Sequence, residues 1–293
     1  ARRSYEISAE YRSRGVPVVM GGMHATLAPE EVANHADAVY QGDAESMWHQ
    51  VLTDLRAGEL QPRYVGTTSR PQSGGTTNRT IYGRRRYLPL SLIQFGRGCR
   101  FRCEFCAVGA YFDHRHYTRA VADVVAELSQ QSRRNVFFVD DNILSDFEAA
   151  KELFRALIPL NLRWVSQASL DQATDPEMMK LMVESGCLGN VNGFESLDPR
   201  NLAAMGKAPN LTPTNARYET QVETLRHYGL QTWAAFVFGY DYDTKASIVE
   251  TLQWAIDCKF TFGAFNVLMP YPGTGLYRRF AAEERLLYDG KWW

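Results

Sequence analysis

No uninterrupted apolar run in this chain reaches the ~18 residues that a membrane-crossing helix needs. The best candidate, Trp233–Gly239, has only the length of a strand. The first fifteen residues, ARRSYEISAEYRSRG, hold no apolar core of the kind a signal peptide carries, so a cytoplasmic location is expected. An excess of charge is also missing: 32 Lys+Arg against 33 Asp+Glu leave a net charge of −1. Without a broad positive field, general binding of nucleic acid through its phosphates is not expected. Cysteine is scarce and odd in number, five in 293 residues, which argues against an evenly paired disulfide framework. With 45% hydrophobic and 22% charged residues the composition is that of a folded chain, not a disordered one.

The length suggests about two domains, or one large α/β domain with an attachment. Residues 1–60 alternate helix and strand. Ser4–Arg14 is expected to be helical and to end at Gly15, with Val16–Met20 a short buried strand running into Gly21-Gly22. Pro29–His35 and Ala44–Ala57 are expected as helices around a strand at Asp37–Tyr40. Two such strands are a fragment of a parallel sheet. Residues 61–89 are expected to be a connector: Gln61–Thr80 is rich in Gly, Ser, Thr, Pro and Arg, and the run Arg84–Arg86 is read as solvated.

From residue 90 a repeating pattern begins. Strands are expected at Ser91–Phe95, Asn135–Val139, Arg163–Ala168, Leu188–Phe194, Thr232–Phe238 and Gly263–Met269. Helices are expected between them at Ala120–Arg133, Phe147–Ile158, Pro176–Ser185, Ala216–Tyr228 and Lys245–Lys259. Each step is near the ~30 residues of a βαβ unit. A closed eight-unit barrel takes about 250 residues. The fold class expected over residues 90–280 is therefore α/β, a partial (β/α)6 TIM-like barrel. Its functional loops should follow the C-terminal ends of the strands. Residues 281–293 are expected to start a C-terminal extension.

Three of the cysteines, Cys99, Cys103 and Cys106, fall within eight residues directly after the first barrel strand. Three thiolates on one loop can hold three corners of a cubane iron–sulfur cluster. The other two, Cys187 and Cys258, fall in helix-to-strand connections at the opposite end of the barrel and read as small buried hydrophobes. One iron is then left open for a substrate or cofactor. A zinc site completed by His114 or His116 is the alternative donor set, and with it a non-catalytic Fe-S or zinc binding module.

The motif C-x3-C-x-aromatic-C, with Phe105 as the aromatic, resembles that of the radical S-adenosylmethionine (SAM) superfamily. The resemblance implies that Cys99, Cys103 and Cys106 hold a 4Fe-4S cluster. SAM would chelate the fourth iron and be cleaved reductively to a 5′-deoxyadenosyl radical, with Phe105 beside adenine. It also implies SAM-binding stations at the strand ends. Gly193-Phe194-Glu195 looks like the family's acidic motif, Glu195 taking the SAM amino group; the alternative is that Glu195 caps a turn. Gln167 or Ser169 would reach the ribose or carboxylate, and Val237 with Gly239 would flank adenine. Asp140-Asp141-Asn142 reads either as a contact to SAM or substrate or as a helix N-cap. Tyr271 reads either as a pocket wall or as a core aromatic. The loop Tyr111–Tyr117 reads either as a substrate pocket or as a shield.

Val16–Ser46 looks like the second half of a Rossmann-like cobalamin-binding domain, as found in the cobalamin-associated branch of that superfamily. Gly21 and Gly22 would lie against the nucleotide tail of cobalamin. The usual D-x-H-x-x-G stretch is absent, and His24 stands in another context, so either the chain is a truncated piece of a longer protein, which its start inside an expected helix favours, or it has lost the cofactor. The function implied is cobalamin-associated methylation of an unactivated carbon in a small-molecule substrate, with a flavodoxin or ferredoxin as reductant. A cobalamin-independent oxidation, cyclisation or rearrangement is the other radical SAM reading.

Overall fold

The computed structural model describes residues 1–69, 79, 87–131, 133–211 and 218–291. The Arg84–Arg86 run, the start of the expected helix at Ala216 and the terminal tryptophans lie outside the described residues. The chain divides into two compact units. One comprises Ala1–Ser69, Glu104–His114 and Met269–Trp293; the other comprises Arg70–Cys103 and Arg115–Leu268.

The first unit contains a three-stranded parallel sheet, β1 (Val19–Met20), β2 (Ala38–Gln41) and β3 (Arg63–Val65), in that order. β2 lies in the middle and is buried on both faces. Ala38 and Tyr40 pack with Val51 and Tyr64, while Val39 packs with Ala25 and Val32. The expected first strand is shortened to Val19–Met20; Pro17 has no N–H to give a sheet ladder. β3 lies within the stretch expected to be a connector. Only Tyr64 of its three residues is buried, so it carries no apolar run by which to recognise it.

The second unit is built on a six-stranded sheet. Its strands are β4 (Ser91–Ile93), β7 (Asn135–Phe138), β8 (Arg163–Ala168), β9 (Cys187–Glu195), β10 (Gln231–Phe238) and β11 (Phe262–Val267), adjacent in that order. Every pairing is parallel. β5 (Gly96–Gly98) and β6 (His116–Thr118) form a small antiparallel ribbon beside it, which the sequence did not suggest. All six expected barrel strands are present within two residues of their expected ends. Among the described residues β4 and β11 each have one neighbour in the sheet, so the sheet is open, as six βα steps require.

One face of this sheet is packed by helices. Trp164 of β8 and Phe138 of β7 are fully buried with Leu153, Phe154, Met178 and Met182. The Trp164 indole N–H donates to the Ser185 carbonyl at 3.1 Å, so its polar atom is paired inside the core. Burying each such large apolar side chain contributes about 1.5–3 kcal/mol. On the other face Leu92, Leu188 and Trp233 are exposed. The helices start where the strand-end loops finish, and side chains cap them there. Asp146 accepts from the N–H of Ala149, Asp175 from Met178, Asp198 from Arg200 and Thr244 from Ser247. Pro176 and Pro199 occupy first-turn positions whose missing N–H costs nothing.

Candidate functional site

The eight-residue cysteine segment crosses the boundary between the units: Cys99 and Cys103 belong to the second, and Phe105 and Cys106 to the first. None of the five cysteines is in a disulfide. Cys103 is buried, and Cys99 and Cys106 are half-buried. Cys106 is the N-cap residue of the helix Ala107–Phe112. Just before it, the Glu104 carbonyl accepts from the Leu276 N–H at 2.9 Å, and the Glu104 carboxylate pairs with Arg279 at 2.9 Å. Phe105 is half-buried in the turn between.

Cys187 opens β9 and Cys258 caps the end of the helix Lys245–Asp257 before β11, both away from the strand ends that carry the candidate site. Cys187 is buried as expected, whereas Cys258 is only half-buried; burial pushes both thiols up, toward the protonated form. Among the described residues no three His, Cys, Asp or Glu side chains gather around one metal position.

The loop entering Cys99 is held by the end of β7. Asp140 is fully buried and accepts from the backbone N–H of Phe95, at 3.0 Å, and from that of Gly96. Burial pushes its carboxyl up to about 7, against the pull of those two hydrogen bonds. Asp141 accepts from the Gly98 N–H at 2.8 Å. Asn142 Nδ2 lies 3.2 Å from Ser169 Oγ and 3.9 Å from Cys99 Sγ. Of the two readings of Asp140-Asp141-Asn142, the N-cap role falls instead to Asp146. Holding the path of the cysteine loop is a third role, which the sequence did not suggest.

Gln167 Nε2 donates to the Asp140 carbonyl at 3.3 Å, so Gln167 and Ser169 meet the same β7 loop. Glu195 ends β9 with φ of 65°, in the left-handed region, and its side chain is only 9% exposed. It does not cap a turn. Lys207 Nζ donates to its Oε1 at 2.7 Å. The register between β9 and β10 slips here, from Gly193 opposite Ala235 to Glu195 opposite Phe236. Phe194 thereby enters the aromatic core of Phe236, Trp254 and Phe260, while Glu195 turns to the other side. The phenylalanine inside the Gly-x-Glu motif is thus a packing residue. Gly239 has φ of 114°, and its N–H donates to Asp243 at 2.7 Å. Val237, two residues earlier, pairs with Asn266 of β11.

Lys207 had no motif to announce it. Neither had Gly206, whose φ is 66° and where an added Cβ would sit 2.9 Å from the Arg102 carbonyl oxygen. The segment Gly206-Lys207 therefore touches both the backbone beside Cys103 and the Glu195 carboxylate. Gly193 completes this arrangement, because a Cβ there would fall 2.2 Å from Glu195 Oε1 and 2.8 Å from Lys207 Nζ. Gly193→Ala is expected to displace the ion pair at a cost of about 1–3 kcal/mol. Thermal unfolding should register about 2–4 °C per kcal/mol. In a Glu195→Ala background most of that cost should disappear, because the clashing carboxylate is gone; an undiminished cost would contradict the contact.

On the open face of the sheet, toward the N-terminal ends of the strands, lies a cavity of about 340 Å³. Phe137, Val165, Leu188, Val191, Trp233 and Phe262 line it. Gln167 is paired with Val191, and Val191 with Trp233, so Gln167 shares a row of the sheet with the cavity wall.

In the first unit Gly21 and Gly22 follow β1. Gly22 has φ of 93°, and an added Cβ would have no neighbour within 4 Å, so its backbone is open to approach. His24 Nε2 lies 3.1 Å from the Tyr5 hydroxyl and 3.6 Å from Glu31, which ties it into the packing of the N-terminal helix. The stretch expected as a loop from Tyr111 instead starts inside the helix Ala107–Phe112, and after β2 Asp43 Oδ1 accepts from the Tyr111 hydroxyl at 2.9 Å, which engages that aromatic within the unit. Tyr271 is 44% exposed, so its core reading does not hold. No helix among the described residues is long and apolar enough to cross a membrane.

The sequence model of the Radical SAM superfamily matches residues 93–255. The chain is 28% identical over 285 residues to bacteriochlorophyllide d C-12(1)-methyltransferase of Chlorobaculum tepidum, covering 94% of this chain and 62% of that protein. It is 26% identical over 289 residues to hopanoid C-2 methylase of Rhodopseudomonas palustris, covering 94% of this chain and 54% of the relative. The fold is similar to that of the radical S-adenosylmethionine methyltransferase TsrM from Kitasatospora setae, solved with cobalamin and a 4Fe-4S cluster bound. There the TM-score is 0.74 and the identity 20%, over 96% of this chain and 60% of that one. The chain thus spans just over half to under two thirds of the length of these proteins.

Proposed function

The chain belongs to the radical SAM superfamily, and from that premise we propose that it cleaves SAM at a 4Fe-4S cluster to methylate an unactivated carbon of a small molecule, with cobalamin as methyl carrier. Cys99, Cys103 and Cys106 are the proposed cluster ligands. The observation that carries the reading is this donor set: three thiols, none spent in a disulfide, on one short segment, with the two further cysteines, buried Cys187 and half-buried Cys258, far away along the chain. Thiolate is the donor that iron–sulfur clusters prefer. The two methylating relatives are 28% and 26% identical to this chain, above the 23% of an anaerobic magnesium-protoporphyrin IX monomethyl ester cyclase from Cereibacter sphaeroides that also covers most of it, which favours methylation over cyclisation or rearrangement.

When bound, the cluster would supply the electron that cleaves SAM, and cobalamin would supply the methyl group. This chain's residues bind and orient. Glu195 accepts from the SAM ammonium and shares its carboxylate with Lys207. Gln167 and Ser169 face the ribose or carboxylate, and Phe105, Val237 and Gly239 flank adenine. Gly21 and Gly22 admit the nucleotide tail of cobalamin, a role that the open backbone at Gly22 fits. Residues 1–60 are the proposed partial cobalamin domain, 61–89 the connector, 90–280 the barrel and 281–293 the start of an extension. A cytoplasmic location, a flavodoxin or ferredoxin reductant and no nucleic-acid partner complete the proposal.

Anaerobic reconstitution followed by metal analysis tests it. About four iron and four sulfide per chain are expected, as one cubane requires. Adding reductant should then consume SAM, and added cobalamin should stay with the protein on gel filtration. Stoichiometric zinc with no SAM consumption would overturn the reading in favour of a binding module.

A further inference from the structure

We propose that Asp140 and Asp141 are positioning residues that set the aim of Cys99 by clamping the backbone of the four residues before it. This rests on the reading of Cys99 as a cluster ligand. Cys99 follows Gln94–Gly98, a segment without a regular place in the main sheet, and its backbone polar groups must find partners elsewhere. They find them just past the ends of β7 and β6. The Gln94 carbonyl accepts from Arg119 Nη1 at 2.9 Å, and the Phe95 carbonyl from the Arg119 N–H at 2.8 Å. The Phe95 and Gly96 N–H groups donate to the two oxygens of Asp140, and the Gly98 N–H donates to Asp141. Arg119 is itself fixed by Glu127 at 2.7 Å, inside the unit.

The sequence around the clamp is shaped to it. A Cβ at Gly96 would lie 2.7 Å from His116 Nε2 and 3.2 Å from Asp140 Oδ1, so only glycine lets the buried carboxylate reach both N–H groups. Gly98 takes φ of 83°, which turns the chain into Cys99. The two aspartates differ in a way that makes the clamp testable. Asp140 accepts two N–H bonds through two oxygens, so the amide of an Asp140→Asn variant could satisfy only one and would set its NH2 against the other donor. Asp141 accepts one, which asparagine can also accept.

The experiment uses the full chain, reconstituted anaerobically, and compares Asp140→Asn, Asp141→Asn and Asp141→Ala with the parent. The readouts are iron per chain, the EPR spectrum of the reduced cluster, SAM affinity and thermal midpoint. Failure of the parent to take up iron would count against the cluster reading itself. If the parent is loaded, Asp140→Asn and Asp141→Ala are expected to shift or broaden the EPR spectrum and to weaken SAM affinity by about tenfold, roughly 1.4 kcal/mol. Asp141→Asn should restore both. A merely structural role would lower the thermal midpoint of the variants and leave the spectrum of the loaded protein unchanged, and that result would overturn the proposal. If Asp140→Asn does not fold, the Asp141 pair alone decides.

Discussion

Cys103→Ala is expected to take iron uptake from about four per chain to near zero and to end SAM cleavage, because a cubane held by three thiolates loses a corner it cannot replace. The loss should be specific. Cys187→Ala and Cys258→Ala remove thiols of the same intrinsic chemistry, yet both should load iron normally. Cys187 opens β9 and Cys258 caps the helix before β11, and burial pushes both thiols up toward the protonated form. Cys103 is buried against Gly206, so truncating it costs packing as well as ligation. Circular dichroism separates the two effects: a folded Cys103→Ala protein without iron supports ligation. A folded variant that still holds a full complement of iron would end the assignment, and iron loss in Cys187→Ala would move it elsewhere.

Glu195→Ala should weaken SAM binding by tenfold or more while the protein still loads iron. Two physical effects add. The carboxylate proposed to accept from the SAM ammonium is removed, and Lys207 loses its 2.7 Å contact with it in a largely buried site. Breaking a buried pair by deleting one member costs about 3–5 kcal/mol, so the thermal midpoint should also fall. Glu195→Gln distinguishes the two, because it keeps the shape and a hydrogen-bond acceptor for Lys207 while removing the charge. Isothermal titration with SAM gives the answer. Unchanged affinity in a folded, iron-loaded Glu195→Gln protein would retire Glu195 from the SAM site.

The strands were legible because parallel strands covered by helices leave apolar runs in the sequence: Val136-Phe137-Phe138-Val139 and Trp233–Phe238 announce themselves. β3 was not, since Tyr64 alone is buried there. The β5–β6 ribbon was hidden for a similar reason. Gly96-Arg97-Gly98 has no side-chain alternation to read, and its pairing with His116–Thr118 is a contact across a long stretch of loop and helix. Glu195 could be singled out from the glycine two positions before it. The register slip that sends Phe194 into the core and Glu195 to the other side could not.

The residues alone determined the chemistry available: three clustered thiols, two isolated ones, no charge excess, and six βα steps, too few to close a barrel. These are properties of composition, spacing and period, which the chain carries whether folded or not. Folding decided which carboxylate does what. Asp140 is spent on two backbone N–H groups far back along the chain, at Phe95 and Gly96, and Glu195 on Lys207 in the segment that follows it. Such pairings depend on how the β4, β7 and β9 loops meet in space, and no local pattern in a sequence encodes a distance between loops.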